Sequence, residues 1–230
     1  MHLSRLTLRR TPDMAAIGAL LDPAHDGRRM DAHHRLIWSA FSGDPDARRD
    51  FLWREMGRGG FLVLSPRPPA ETALFEPPEV SAFTPDLRAG DRLAILLRAN
   101  ATRTVTEADG RKSHRDVVMD ALHKVPRSER AAVRMEIAQH AGSVWLSGQG
   151  ERAGFSVRRV GVTAYRVGEP PGQGKRRPRF GVMDMEGEVE VSDPDALVAG
   201  LAKGFGRARA FVCGLMLVRR TCRAASAICR

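Results

Sequence analysis

Apolar residues recur along this chain with the two-residue alternation of strands, interrupted by stretches of helical period. The same order of elements runs twice, which leaves few ways to pack them. The first set opens with HLSRLTLRR (2–10), where Leu6 and Leu8 fall on one face and Arg5, Thr7 and Arg9 on the other. A helix is expected over Arg28–Phe41, with Asp26 as its cap and Ser42-Gly43-Asp44-Pro45 as its stop. Strands follow at Phe51–Arg54 and Gly60–Leu64 across a glycine-rich turn. The proline-rich stretch Ser65–Pro78 leaves room for a short helix at Ala70–Leu74, and Val80–Phe83 is a last short strand. The second set opens with one long strand, RLAILLRANATRTV (Arg92–Val105), and continues with helical period over His114–His140, broken at Pro126. A strand or strand pair spans Val157–Val167, a strand spans Phe180–Val191, a helix spans Ser192–Lys203, and a strand closes at Leu215–Val218. The order β-α-β-β-α-β, twice, predicts an α+β chain of two tandem ferredoxin-like domains.

Asp86–Asp91 reads as the boundary. It divides the 230 residues into domains at 1–87 and 88–218, with a basic tail at 219–230. A hydrophobic fraction of 43% suffices for packed cores, and no apolar run approaches the length of a membrane span. The opening MHLSRL is too short and interrupted for a secretory signal. Cys213, Cys222 and Cys229 lack metal-ligand spacing and read as one buried thiol and two tail thiols in a reducing compartment, so the cytoplasm is expected. The net charge of +10 points to a polyanionic partner. Nucleic acid is the first candidate and an acidic membrane surface the second, although no long basic amphipathic helix serves the latter.

Two histidines stand side by side on the first helix. At about 100° per residue, His33 falls near the centre of the apolar face formed by Leu36, Ile37, Ala40 and Phe41. His34 falls at its edge beside Trp38, and Arg35 points away. A central histidine reads as a core residue, whereas an edge histidine can be packed on one side and reachable on the other. With a pKa near neutrality, His34 can take and give a proton. Near the C-terminus, the helix over Ser192–Lys203 runs into Gly204-Phe205-Gly206-Arg207-Ala208-Arg209-Ala210-Phe211-Val212-Cys213-Gly214. Glycines let a backbone approach a polyanion, and Arg207 and Arg209 add fork-shaped donors for phosphate. The same pattern also reads as a helix cap and an ordinary loop. Lys175, Arg176, Arg177 and Arg179 lie in a loop flanked by glycine and proline, either a solvated hairpin tip or a contact for an RNA backbone. Asp184, Glu186, Glu188 and Glu190 share one strand face and read as a solvated strand edge in preference to a metal site. The chain has no P-loop, GxSxG, HExxH or zinc pattern.

The segments HLSRLTL, HRLIWSAFSGDPDARRDFLWRE (His34–Glu55), RLAILLRANATRTV, GERAGF (Gly150–Phe155), and FGVMDMEGEVEVSDPDAL followed by GFGRARAFVCGLMLV come in a fixed order. Together they resemble the CasE family of CRISPR-associated endoribonucleases found in type I-E Cascade complexes. The likeness runs to about Val218. It implies two ferredoxin-like domains that bind the stem-loop of CRISPR repeat RNA and cut at the 3′ base of the stem. It also implies that no metal or cofactor takes part: the ribose 2′-OH attacks the adjacent phosphate and the 5′-oxygen leaves. The implied partners are the repeat hairpin and other Cascade subunits, with no membrane. The family's catalytic histidine falls on His34, the lysine of its glycine-rich motif on Arg209, and its basic hairpin on Lys175–Arg179. Gly204, Gly206 and Arg207 belong to the same motif, and Arg35 and Arg103 complete the candidate RNA contacts. Asp31 stands where a tyrosine is usual and is expected to orient His34 from one turn away. Val212 replaces a usual glycine, Ala101 replaces a usual proline, and the tail 219–230 has no counterpart. A subunit that holds the hairpin without cutting is the alternative reading.

Overall fold

The structure, a computed structural model, describes residues 1–24, 26–41, 49–168 and 179–221. β1 (His2–Thr7) leads through two short helical turns, α1 (Pro12–Ala16) and α2 (Gly18–Leu21), into α3 (Asp26–Ser39). Asp26 is the first residue of α3. β2 (Leu52–Gly57), β3 (Gly60–Ser65) and β4 (Glu79–Ala82) complete an antiparallel sheet in the order β2-β3-β1-β4. No helix forms at Ala70–Leu74. Five residues between prolines are too few to nucleate one, and their backbone groups bond elsewhere. Ala70 N donates to Ala40 O at 2.8 Å, and Arg9 N donates to Leu74 O at 3.0 Å. The first set therefore has one crossover helix and one crossover made of extended chain.

β5 (Arg92–Ala99) is shorter than the strand expected over Arg92–Val105. Asn100 and Ala101 leave the sheet, because the buried Asn100 amide donates to Gly181 O at 2.8 Å and the Asn100 carbonyl accepts from Arg207 N at 3.1 Å. The chain then forms a separate two-stranded sheet of β6 (Thr102–Thr106) and β7 (Lys112–Asp116). His114–Asp116 is therefore strand and not helix. Helix begins at α4 (Val117–Leu122), where the Asp116 carboxylate accepts from Val118 N and Met119 N, each at 3.0 Å. After a turn at Pro126, α5 (Arg130–Arg152) continues well past His140. β8 (Phe155–Gly168) is one strand, and β9 (Phe180–Val191), α6 (Pro194–Lys203) and β10 (Met216–Arg220) follow. Asp193 caps α6 by accepting from Ala196 N at 3.0 Å. The second sheet has the order β10-β5-β9-β8. Numbered within each set, both sheets run second-third-first-fourth, the antiparallel ferredoxin-like arrangement. β10 takes in Arg219 and Arg220, which pair with Ala94 and Leu93, so the expected tail begins inside a strand.

Each sheet buries one face beneath its helices. Leu6, Ile37, Phe61 and Val63 centre the first core, and Leu93, Leu97, Leu146, Met185 and Leu197 the second. A smaller cluster of Leu52, Leu64 and Leu215 joins strands of the first set to the segment before β10. The acidic row on β9 lies on the interior strand between β5 and β8, which corrects the strand-edge expectation. It is balanced by arginines of neighbouring strands. Arg98 pairs with Asp184 through two bonds of 2.6 and 3.0 Å, Arg166 joins it at 2.9 Å, and Arg158 reaches Glu190 at 3.1 Å. Among the described residues no helix is long and apolar enough to cross a membrane.

Candidate active site

α3 presents its two histidines to different surroundings. His33 is 3% exposed; its Nε2 lies 3.2 Å from Asp22 Oδ1 and its Nδ1 3.8 Å from Glu55 Oε2. Its ring meets Phe61 edge-on at 5.0 Å. Burial lowers its pKa, against the opposing pull of Glu55 and Asp22. His34 is half-buried among aromatic rings: it stacks on Trp38 at 6.3 Å and meets Phe51 at 6.0 Å and Phe211 at 6.5 Å. Its Nε2 is sealed from solvent and has no hydrogen-bond partner. Burial, and after it the positive charge of Arg49, holds the His34 pKa below the ordinary 6.5, while Asp31 acts in the opposite direction. His34 is thus a neutral imidazole near pH 7, with an unmet ring nitrogen suited to a hydroxyl.

Phe211 comes from the glycine-rich segment of the second set, which docks on the first. Its ring also stacks on Phe180 at 5.5 Å, and Trp53 Nε1 of β2 donates to Ala210 O at 3.2 Å. Gly204 ends α6 at φ 78°, ψ 158°, where a Cβ would lie 2.7 Å from Leu52 Cδ1. At Gly206 (φ 80°) a Cβ would lie 2.6 Å from Asn100 O. Both glycines therefore serve a close approach to the chain's own β2 and Asn100. Arg209 staples the turn: its Nε donates to Gly206 O and its Nη2 to Gly204 O, each at 3.2 Å. Arg207 is exposed. Val212, at φ 63°, holds the left-handed conformation that a glycine adopts without strain, and its side chain is buried in the first core.

The other expected site residues scatter. Asp31 is held by Arg35 Nη2 at 3.0 Å across one helical turn and reaches His34 only through its charge. Arg103 lies on the β6–β7 hairpin and is tied to Asp120. Arg179 lines a cavity of about 400 Å³ with Phe180, His123 and Asp120. Lys175, Arg176 and Arg177 lie outside the described residues.

The sequence profile of the family described as CRISPR associated protein matches residues 1–220. The chain belongs to this CRISPR-associated family. It is 28% identical over 192 residues to the CRISPR system Cascade subunit CasE of Escherichia coli K12, covering 80% of this chain and 88% of that one. The CRISPR endoribonuclease Cse3 bound to a 19 nt RNA superposes with a TM-score of 0.62 at 25% identity, over 95% of this chain and all of the other. Escherichia coli K-12 Cas6e superposes with a TM-score of 0.60 at 20% identity, over 95% of this chain and 98% of that one, which speaks for the fold.

In this CRISPR-associated protein the residue that sequence reasoning passed over is Arg49. It lies just before β2 and acts electrostatically on His34. Its Nη1 is buried with no hydrogen-bond partner, and the charge that bears on it is that of Arg209. The only signal in the sequence is the pair Arg48-Arg49 before an apolar strand, which ordinary surface arginines give as well. Phe211 was equally hidden, since nothing periodic marks a ring inside a glycine-rich turn.

Proposed function

We propose that this protein is a metal-independent endoribonuclease that binds the stem-loop of CRISPR repeat RNA, cuts at the 3′ base of the stem, and stays with the product as a Cascade subunit. The observation that carries this reading is His34. A neutral, half-buried imidazole with an unpartnered Nε2 sits where α3 of the first set meets the glycine-rich segment of the second. The likeness to CasE and to RNA-bound Cse3 supplies the substrate class. In the proposed step the incoming RNA displaces the cover over Nε2, which then takes the proton of the ribose 2′-OH as that oxygen bonds to phosphorus. The bond from phosphorus to the 5′-oxygen breaks, the departing oxygen takes a proton from water, and a 2′,3′-cyclic phosphate remains. Such proton transfer by one positioned group contributes about 10²–10⁴-fold.

The test is single-turnover cleavage, in EDTA, of the repeat transcript encoded beside the gene. The expected products carry a 2′,3′-cyclic phosphate and a 5′-hydroxyl. His34→Ala is expected to lose roughly 10²-fold or more in rate while keeping hairpin affinity. A 2′-deoxy substitution at the cut site is expected to block the wild-type reaction. A Mg²⁺ requirement, or 5′-phosphate products, overturns the mechanism. Tight binding without any cutting replaces the nuclease with a hairpin-holding subunit.

A further inference from the structure

Arginines on the second sheet of this protein meet carboxylates: Arg98 and Arg166 share Asp184, and Arg158 pairs with Glu190. Arg49 departs from that pattern. The carboxylate next to it in sequence, Asp50, is turned to Arg67 at 3.1 Å, and Arg67 in turn packs over the Phe41 ring. Among the described residues no carboxylate pairs with Arg49, and its buried Nη1 finds no acceptor. The neighbouring charge is another arginine, Arg209, which has spent its Nε and Nη2 on Gly204 O and Gly206 O. A guanidinium carries five N–H donors, and a buried one left unmet beside a second cation costs free energy unless an anion arrives. Both cations belong to the His34 neighbourhood: Phe51, two residues beyond Arg49, meets the ring at 6.0 Å, Phe211, two residues beyond Arg209, meets it at 6.5 Å, and Arg49 also acts on the ring electrostatically.

We propose that Arg49 binds the non-bridging oxygens of the scissile phosphate, with Arg209 Nη1 as second donor, so that these two guanidinium groups form the anion clamp of the His34 centre. The proposal deepens the ribonuclease reading and rests on it for the substrate. The charge relation explains the division of labour. Attack by the 2′-oxygen puts extra negative charge on the phosphoryl oxygens, and donors fixed in a partly dehydrated site stabilise that charge without reorganising. Arg209 is held in a fixed place by the glycine turn, with its Nη1 left to donate. Arg49 has no carboxylate partner among the described residues, and its Nη1 is unmet. The pair joins the two halves of the chain, since Arg49 precedes β2 and Arg209 precedes β10.

The test compares wild type, Arg49→Gln and Arg49→Lys. Three readouts are used: single-turnover cleavage in EDTA, melting temperature, and affinity for product hairpin ending in a 3′-phosphate against one ending in a 3′-hydroxyl. Arg49→Gln is expected to lose roughly 10²–10³-fold in rate, and Arg49→Lys to recover part of it. Wild type is expected to prefer the 3′-phosphate hairpin about tenfold, and Arg49→Gln to show no preference. The melting temperature of Arg49→Gln should equal or exceed that of wild type, because an unpaired buried charge has been removed. The charged groups acting on His34 are Arg49, Asp31 and Arg35, with Arg209 behind Arg49. Removing Arg49 should therefore move the acid limb of the rate profile to higher pH. Cleavage within about twofold of wild type together with a retained 3′-phosphate preference overturns the proposal. So does a rate loss that follows a drop in melting temperature in both variants. If wild type itself never cuts, the ribonuclease reading fails on its own. The 3′-phosphate preference then decides Arg49 alone: its loss in Arg49→Gln supports the clamp and its survival overturns it.

Discussion

Neighbouring histidines on α3 both titrate below the ordinary value, and burial is the first cause for each. Their opposing influences differ: Glu55 and Asp22 for His33, Asp31 for His34. The consequence for stability has one sign. A histidine whose folded pKa is depressed binds its proton more readily in the unfolded chain, so stability is complete above 6.5 and falls as pH drops below it. Wild type should therefore lose melting temperature on titration downward from pH 6.5, before the carboxylates titrate. His33→Ala should start about 2–4 kcal/mol less stable, because a packed ring is deleted, and should show a shallower pH slope. Its cleavage rate per folded molecule should remain near wild type, since His33 faces Phe61 and Trp53 and not the glycine segment. Thermal melts across this pH range, with active-site titration, check both parts; a flat profile in wild type refutes the burial argument. The edge and centre positions of these residues were legible from the helical period alone. The rings around His34 were not, because Phe51 and Phe211 reach it from distant parts of the chain.

Among the elements, the segment after α6 carries the sharpest requirement on residue type. Gly204 adopts a backbone conformation almost reserved for glycine, and a Cβ there would meet both Leu52 Cδ atoms and Gly214 O. Gly204→Ala is expected to cost about 2–5 kcal/mol, from strain and overpacking together. In a chain of this size that corresponds to a melting temperature lower by roughly 5–15 °C. Gly148→Ala makes the control. Gly148 lies inside α5, and the nearest atom to an added Cβ is the mobile end of Arg152 at 3.8 Å. The second change should raise stability by up to about 1 kcal/mol, as alanine loses less chain entropy in a helix. Equal effects from the two variants would show that the turn is not held as described. Helix signals were readable here because Asp193 and Pro194 mark the start of α6 and Gly204 its end. The failure at His114 has a matching cause. Asp116 is a good cap, but the residues before it pair with β6 instead of continuing the helix backward.

At the scale of the whole molecule, the site exists only if the two sheets keep their relation. Leu215 packs against Leu52 and Leu64 in the small cluster that joins them. Leu215→Ala should cost about 2–5 kcal/mol and should also reduce cleavage per folded molecule by about 10- to 100-fold, since His34 and Arg209 belong to different halves. Leu146→Ala removes a fully buried side chain inside the second core and should cost as much stability without that kinetic penalty. Denaturant melts and single-turnover rates for the two variants separate the outcomes. Equal rates per folded molecule would mean that the cluster is only a filler.

Local physics, carried by residue order, determined the strands at His2–Thr7 and Phe180–Val191, the helices α3 and α6, and the strongly basic character that calls for a polyanion. Period, caps and charge are properties of neighbouring residues, so one sequence suffices to read them. Tertiary structure alone decided where the Arg92 strand breaks, because the buried Asn100 amide answers to Gly181 and Arg207 far along the chain. It also decided that the acidic row of β9 is interior, since strand order within a sheet leaves no local trace. Above all it decided what surrounds His34. The sequence places Arg49 and the turn that carries Arg209 and Phe211 in separate segments, and only the docking of that turn on β2 brings them to one imidazole. Side-chain burial and unmet hydrogen bonds depend on partners distant in sequence, and that dependence is what a linear reading lacks.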